Sequence, residues 1–220
     1  QFGTIITSPD VSDPKEIEAL SFRIVSKYFV GKKMPRLQKE VVKRVLHATS
    51  DPDYIEDIIF HSKAIKNALT AIKNGENVIV DASMVRAGIN KKSLSTFGCK
   101  IICFLNRKDV VRQAPQLNIT RSALAMRKAC KLMERGIVAI GNAPTALLEV
   151  CDLVSKGKAR PALIIGLPVG FVGAKETKKK LRSLKIPYIT NLSRRGGSSA
   201  AASCVNALLK IAGREKRRDA

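Results

Sequence analysis

The sequence contains no tryptophan, and aromatic residues make up only 5% of its 220 positions. Little is therefore available for stacking against exposed nucleobases. Histidine is nearly absent as well, with only His47 and His61. Long apolar runs are missing; one of the longest, Pro161-Ala162-Leu163-Ile164-Ile165, is far too short to span a bilayer. No stretch joins a charged start, a long apolar middle and a small-residue cleavage site, so a cytoplasmic protein without membrane contact is expected. The cysteines are odd in number: Cys99, Cys103, Cys130, Cys151 and Cys204. Cys99 and Cys103 have no second pair at zinc-site spacing, so these residues read as buried free thiols, with no metal site and no disulfide. A Gly-x-Ser-x-Gly elbow is absent too. The glycine-rich stretch 166–173 lacks the Lys-Ser/Thr ending of a phosphate-binding loop and does not match the dinucleotide fingerprint.

Acids are few beside bases: 18 Asp and Glu against 40 Lys and Arg give a net charge of +22. Such a surface attracts polyanions, whether nucleic acid, an anionic membrane or a small ligand with many carboxylates. The basic residues are dispersed along the chain, and no nucleic-acid recognition module accompanies them. The runs at 178–180 and 213–220 read as solvated cationic surface, the latter as a basic tail.

Hydrophobic content is 45%, ordinary for a globular protein, and the length suits one large domain over residues 1–220. The first third reads as helical. Asp13-Pro14 followed by Glu16 has the form of a helix start, and Ile17, Leu20, Ile24, Val25 and Phe29 recur at helical spacing. A second helix opens at Pro35 and a third runs from about Ser62 to Gly75. Five short apolar segments follow, at 77–81, 100–105, 137–141, 162–166 and 187–190. Helical patterns lie near 120–135, 144–155, 174–185 and 198–212. Alternating strands and helices predict an α/β fold with three layers: a doubly wound, mainly parallel five-stranded sheet, with extra N-terminal helices packed on it.

The run at 138–148 shows how this architecture makes a site. An apolar strand ends in Gly141-Asn142, and Pro144 suits the first turn of the next helix. Gly141 allows a sharp turn or close approach of a ligand, and the free amides of such a turn attract carboxylate or phosphate. An ordinary strand-to-helix connection has the same appearance. Asp81, Asn142 and the segments 166–170 and 191–198 all fall at strand carboxyl ends, the edge where open α/β sheets bind ligands. Thr120 is placed to cap the helix that follows it. Arg121 there is a poor partner for the helix dipole unless it faces an anion. Arg194-Arg195-Gly196-Gly197-Ser198 is either an anion site or a basic turn with a serine cap. Asp81 either orients a neighbour or caps the next turn. Arg44 and His47 share one helix face, the first able to hold a carboxylate and the second to exchange a proton near neutral pH. His61 reads as structural.

Seven ordered segments resemble the precorrin-8X methylmutase family: IEALSFRI (17–24), RVLHATSDPD (44–53), VDASMVRAGI (80–89), NITRSALAMR (118–127), VAIGNAPTALLE (138–149), IIGLPVGFVGAKETK (164–178) and SRRGGSSAAASCVNALL (193–209). The resemblance implies an isomerase of corrin biosynthesis. It moves a methyl group from C-11 to C-12 of a polycarboxylate tetrapyrrole, formally by a [1,5]-sigmatropic shift. The products are hydrogenobyrinate or, with cobalt already in the ring, cobyrinate. The resemblance implies no cofactor, a homodimer, hand-over to neighbouring pathway enzymes, and His47 as the catalytic proton donor or acceptor. It places Ser21 and Arg44 near the substrate; Asp81, Thr120, Arg121, Asn142 and Arg195 are the remaining candidates for substrate binding. Residue 11 is Val where relatives often carry Tyr. A corrinoid carrier without catalysis is the alternative, and a basic nucleic-acid-binding protein a third and weaker one.

Overall fold

The structure is a computed structural model that describes residues 13–218; Val11 lies outside them. Three helices and a strand come first: α1 (Pro14–Lys27), α2 (Arg36–Thr49), α3 (Tyr54–Asp57) and β1 (Ile58–Phe60). Next come α4 (Ala64–Lys73), β2 (Val78–Val80), α5 (Ser83–Gly88), α6 (Lys91–Ser95) and β3 (Ile101–Ile102). The chain continues through α7 (Lys108–Gln116), α8 (Arg121–Ala129) with a 3-10 turn at Cys130–Met133, β4 (Ile137–Ile140) and α9 (Pro144–Ser155). It ends in β5 (Leu163–Gly166), α10 (Ala174–Ser183), β6 (Tyr188–Asn191) and α11 (Ser198–Arg218). The start of α1 is as the residues dictate: the Asp13 carboxylate accepts from the Lys15 amide at 2.9 Å, and Pro14 takes the first helical position.

The sheet has six strands, not five, in the order β1-β6-β5-β4-β2-β3. The extra one, β1, pairs antiparallel with β6 at the edge, Ile58 opposite Asn191 and Phe60 opposite Ile189. Its three residues are too brief to show an alternating pattern. The other pairings are parallel. β2, β4 and β5 are buried along their whole length, which is why they read as unbroken apolar runs.

Alternate strand residues serve two cores. Val78, Val80, Ile137, Ala139, Leu163 and Ile165 pack with apolar residues of α2, α4 and α11. Ile79, Val138, Ile140 and Ile164 point the other way, into residues of α8, α9 and α10. Among the described residues no helix is long and apolar enough to cross a membrane.

Two readings of charge are corrected here. Lys178 is not solvated: it lies on the inward stripe of α10 with Ala174, Thr177 and Leu181, and is fully buried. Residues 213–218 do not form a separate tail, because α11 continues through Arg218. All five cysteines are free; Cys99, Cys151 and Cys204 are buried, and Cys103 and Cys130 are half-buried.

Candidate active site

α1 and α2 lie side by side, and their facing residues form the most chemically specific cluster in the chain. The Ser21 hydroxyl is 2.8 Å from Nδ1 of His47. Phe22 stacks on the imidazole, with ring centroids 4.7 Å apart and planes 18° from parallel. The Arg44 guanidinium lies over the same phenyl ring, 4.8 Å from its centroid, and pairs with Glu18 at 3.1 Å. These contacts follow from helical spacing. Arg44 and His47 are three apart on α2, and Glu18, Ser21 and Phe22 fall within two turns of α1.

A cleft of about 350 Å³ opens beside His47, walled by Leu20, Ser21, Ile24, Tyr28 and Asp51 among others. His47 sits in the last turn of α2, which closes at Ser50 in the left-handed conformation (φ 53°) with its amide bonded to the Leu46 carbonyl. That reversal delivers Asp51 to the cleft edge.

Asp51 links the cleft to the carboxyl edge of the sheet. Arg195, in the loop after β6, donates to Asp51 at 2.8 Å and also to Asp53. It is therefore engaged by acids of its own chain. Around it runs a buried network. Asp57 accepts from the Leu192 and Ser193 amides and from Asn191. The Tyr54 hydroxyl reaches the Gly196 carbonyl. Lys178 donates to the carbonyls of Ser193 at 2.9 Å and Arg195 at 2.5 Å. Burial pulls the Lys178 ammonium down to about 8, with Asp57 opposing. Burial likewise raises the Tyr54 phenol, and Asp51 adds to the effect.

The crevice between β2 and β4 is where the strand order reverses, the usual ligand position of such sheets. In this chain it is filled from within. The Asp81 carboxylate accepts from the amides of Gly141 (2.9 Å), Asn142 (2.9 Å) and Ala143 (2.7 Å) and is fully buried. Burial raises its carboxyl above the usual range, while the three amides pull it down. Both Asp81 oxygens are thus taken up by amides of its own chain. Gly141 is required by its own chain as well: an added Cβ would sit 2.9 Å from the Gly197 carbonyl and the Ser198 Cα, where α11 begins.

The remaining candidates stand apart from His47. Thr120 caps α8 by accepting from the Ala123 amide at 3.1 Å, and its hydroxyl donates to Thr145. It lines a separate groove with Asn118, Ile119 and Thr145, on the α8–α9 side of the sheet. Arg121, the first residue of α8, is exposed, as is Asn142. His61 accepts from the Lys63 amide at 3.1 Å and stands edge-on to Tyr188.

With that geometry in place, comparison with known proteins decides the family. The sequence model of precorrin-8X methylmutase matches residues 16–211. The chain belongs to the precorrin-8X methylmutase family. It is 40% identical over 204 residues to a cobalt-precorrin-8 methylmutase of Priestia megaterium, covering 93% of this chain and 91% of the relative. It is also 40% identical over 177 residues to a precorrin-8X methylmutase of Pseudomonas aeruginosa, covering 80% and 85%. A crystal structure of the precorrin-8X methylmutase from Thermus thermophilus superposes with a TM-score of 0.86 at 36% identity, covering 91% of this chain and 97% of that one. Relatives thus include enzymes named for the cobalt-bearing substrate and enzymes named without it.

In this member of the family, residue-by-residue reading missed Phe22, Asp51, Asp53, Tyr54 and Asp57, and took Lys178 for solvated surface. One signal was available. Asp51, Asp53, Glu56 and Asp57 concentrate acids in a short stretch of a strongly basic chain. Such a stretch has basic partners elsewhere, here Arg195 and Lys32.

Proposed function

We propose that the chain isomerises precorrin-8X or its cobalt-bearing counterpart, moving the methyl group from C-11 to C-12. The observation that carries this reading, beyond family membership, is the Ser21–His47 hydrogen bond at the wall of a cleft. Ser21 occupies Nδ1 and fixes the ring plane with the help of Phe22. Nε2 bonds to nothing among the described residues and is the atom left to exchange a proton with the macrocycle. An intramolecular methyl shift conserves every atom, so a proton lent to the ring system is returned when the product forms. Positioned acid–base groups contribute about 10²–10⁴-fold to such steps.

Arg44 is the anchor for one substrate carboxylate. Its pair with Glu18 is partly exposed, a kind of pair worth at most about 1 kcal/mol, so an incoming carboxylate displaces Glu18 at small cost. The reading includes a homodimer that works in the cytoplasm and hands its product to a neighbouring enzyme of the pathway.

The test is to incubate purified protein with metal-free and with cobalt-loaded substrate and follow the visible spectrum. Wild type converts at least one of them. His47→Ala binds the substrate with similar affinity but turns over at least ~10²-fold more slowly. Unchanged turnover in that variant removes His47 from the mechanism. Tight binding by wild type with no spectral conversion makes the protein a carrier.

A further inference from the structure

A second concave surface lies along α11, on the side of α2 and α6. Its volume is about 520 Å³, and its lining includes Arg44, Lys92, Phe97, Lys210, Gly213 and Arg217. Four of these carry positive charge, and no acidic side chain lines the groove. Three of the four have no acidic partner: Lys92, Lys210 and Arg217 form no ion pair among the described residues, whereas neighbouring cations do. Lys73 is paired with Glu215, Arg214 with Glu40, and Arg44 with Glu18 at the groove head. Like charges gathered in one concavity repel until a counter-charge arrives.

The position of Lys92 is fixed by a dedicated contact. Asn206 of α11 accepts from the Asn90 amide and donates to the Gly88 carbonyl, both at 2.8 Å. This bridge pins the turn from α5 into α6 and sets Lys92 on the same groove as Lys210. From Asn206 to Arg217 the lining runs along one face of α11 for about 16 Å.

Gly213 supplies an independent observation. It sits inside α11, where glycine weakens a helix. Packing does not require it, because an added Cβ would meet nothing within 4 Å. Its effect is to keep the groove floor open and let a ligand approach the backbone between Lys210 and Arg217.

We infer that the α2–α6–α11 groove is a binding site for a small oligoanion with several closely spaced carboxylate or phosphate groups. Two sources share that chemistry: the acid side chains of the proposed tetrapyrrole, reached through Arg44, and a free polyphosphate. The groove itself stands on its charge and shape, independent of the catalytic reading.

Inorganic tripolyphosphate, titrated calorimetrically at low salt, is the probe. Wild type binds it at a saturable site. The double variant Lys92→Ala/Lys210→Ala weakens binding at least tenfold. The control Lys131→Ala/Lys179→Ala, which alters net charge equally at exposed positions elsewhere, changes it less than twofold. Gly213→Leu keeps every cation, fills the floor and abolishes binding without loss of thermal stability. Equal weakening by groove and control variants reduces the response to net charge and overturns the site, as does an absence of saturable binding in wild type. A competition arm assigns the source: mutual exclusion between tripolyphosphate and the tetrapyrrole means the groove holds the acid arms of that ligand, and independent binding means a separate anion.

Discussion

Ser21 touches the imidazole but has no proton to contribute to the overall reaction, so its removal should disturb alignment alone. A neutral hydrogen bond is worth about 0.5–1.5 kcal/mol net, which corresponds to roughly 2–10-fold in rate. Ser21→Ala should therefore lower kcat by that factor and leave KM nearly unchanged, as steady-state kinetics will show. Asp81 is the opposite case, a residue whose loss affects folding. An asparagine there offers one acceptor oxygen to three amides and turns an NH2 group toward donors. Asp81→Asn should cost about 1–3 kcal/mol for each donor left unpaired, seen as a fall in Tm on thermal unfolding. The difference between these two residues also marks what the sequence could reveal. Arg44 and His47 were legible because they stand three positions apart on one helix. The amides that bind Asp81 lie some sixty positions further along the chain, and nothing local to Asp81 announces them.

Among elements, α10 shows how a pattern can be present and overridden. Its sequence KETKKKLRS reads as a charged surface, yet Ala174, Thr177, Lys178 and Leu181 form a buried stripe at helical spacing. The lysine in that stripe ties the loop after β6, and through Arg195 and Asp51 that loop meets the end of α2. The Lys178 ammonium, drawn down to about 8 by burial, makes stability depend on pH. From about pH 8 to the ordinary lysine value of 10.5, the folded chain has released this proton while the unfolded chain still holds it. The unfolded state then binds more protons, so stability rises with pH across that window. Lys178→Met should remove this rise, measured by urea unfolding at intervals between pH 7.5 and 10. The longer elements α1, α2, α9 and α11 and the five parallel strands were readable from periodicity and apolar runs. α3, α5 and α6 were not, being a turn or two each, and the edge strand β1 owes its existence to Asn191 and Ile189 across the sheet.

At the scale of the molecule, the charge of +22 was plain from composition, but its arrangement was not. Composition gives the total repulsion; only the fold shows Arg195 brought onto the acids of residues 51–53 and unpaired cations collected along α11. A net charge of this size opposes compactness, and salt screens it over a Debye length of about 10 Å at 0.1 M. Raising potassium chloride from low millimolar to about 0.15 M should therefore raise the Tm of the ligand-free protein, measured by scanning fluorimetry. The same screening should weaken binding of any polycarboxylate. A Tm that falls with salt would mean that attractive pairs such as Arg195 with Asp51 outweigh the general repulsion.

The carboxylate lodged between β2 and β4 has one more consequence. The three amides beneath it are the place where a sheet of this topology would ordinarily cradle a phosphate, and the Asp81 oxygens already hold all three. The berth is filled by the chain itself, so no donor there is left over for a phosphate. Open space lies instead on the helical flank, in the cleft beside His47.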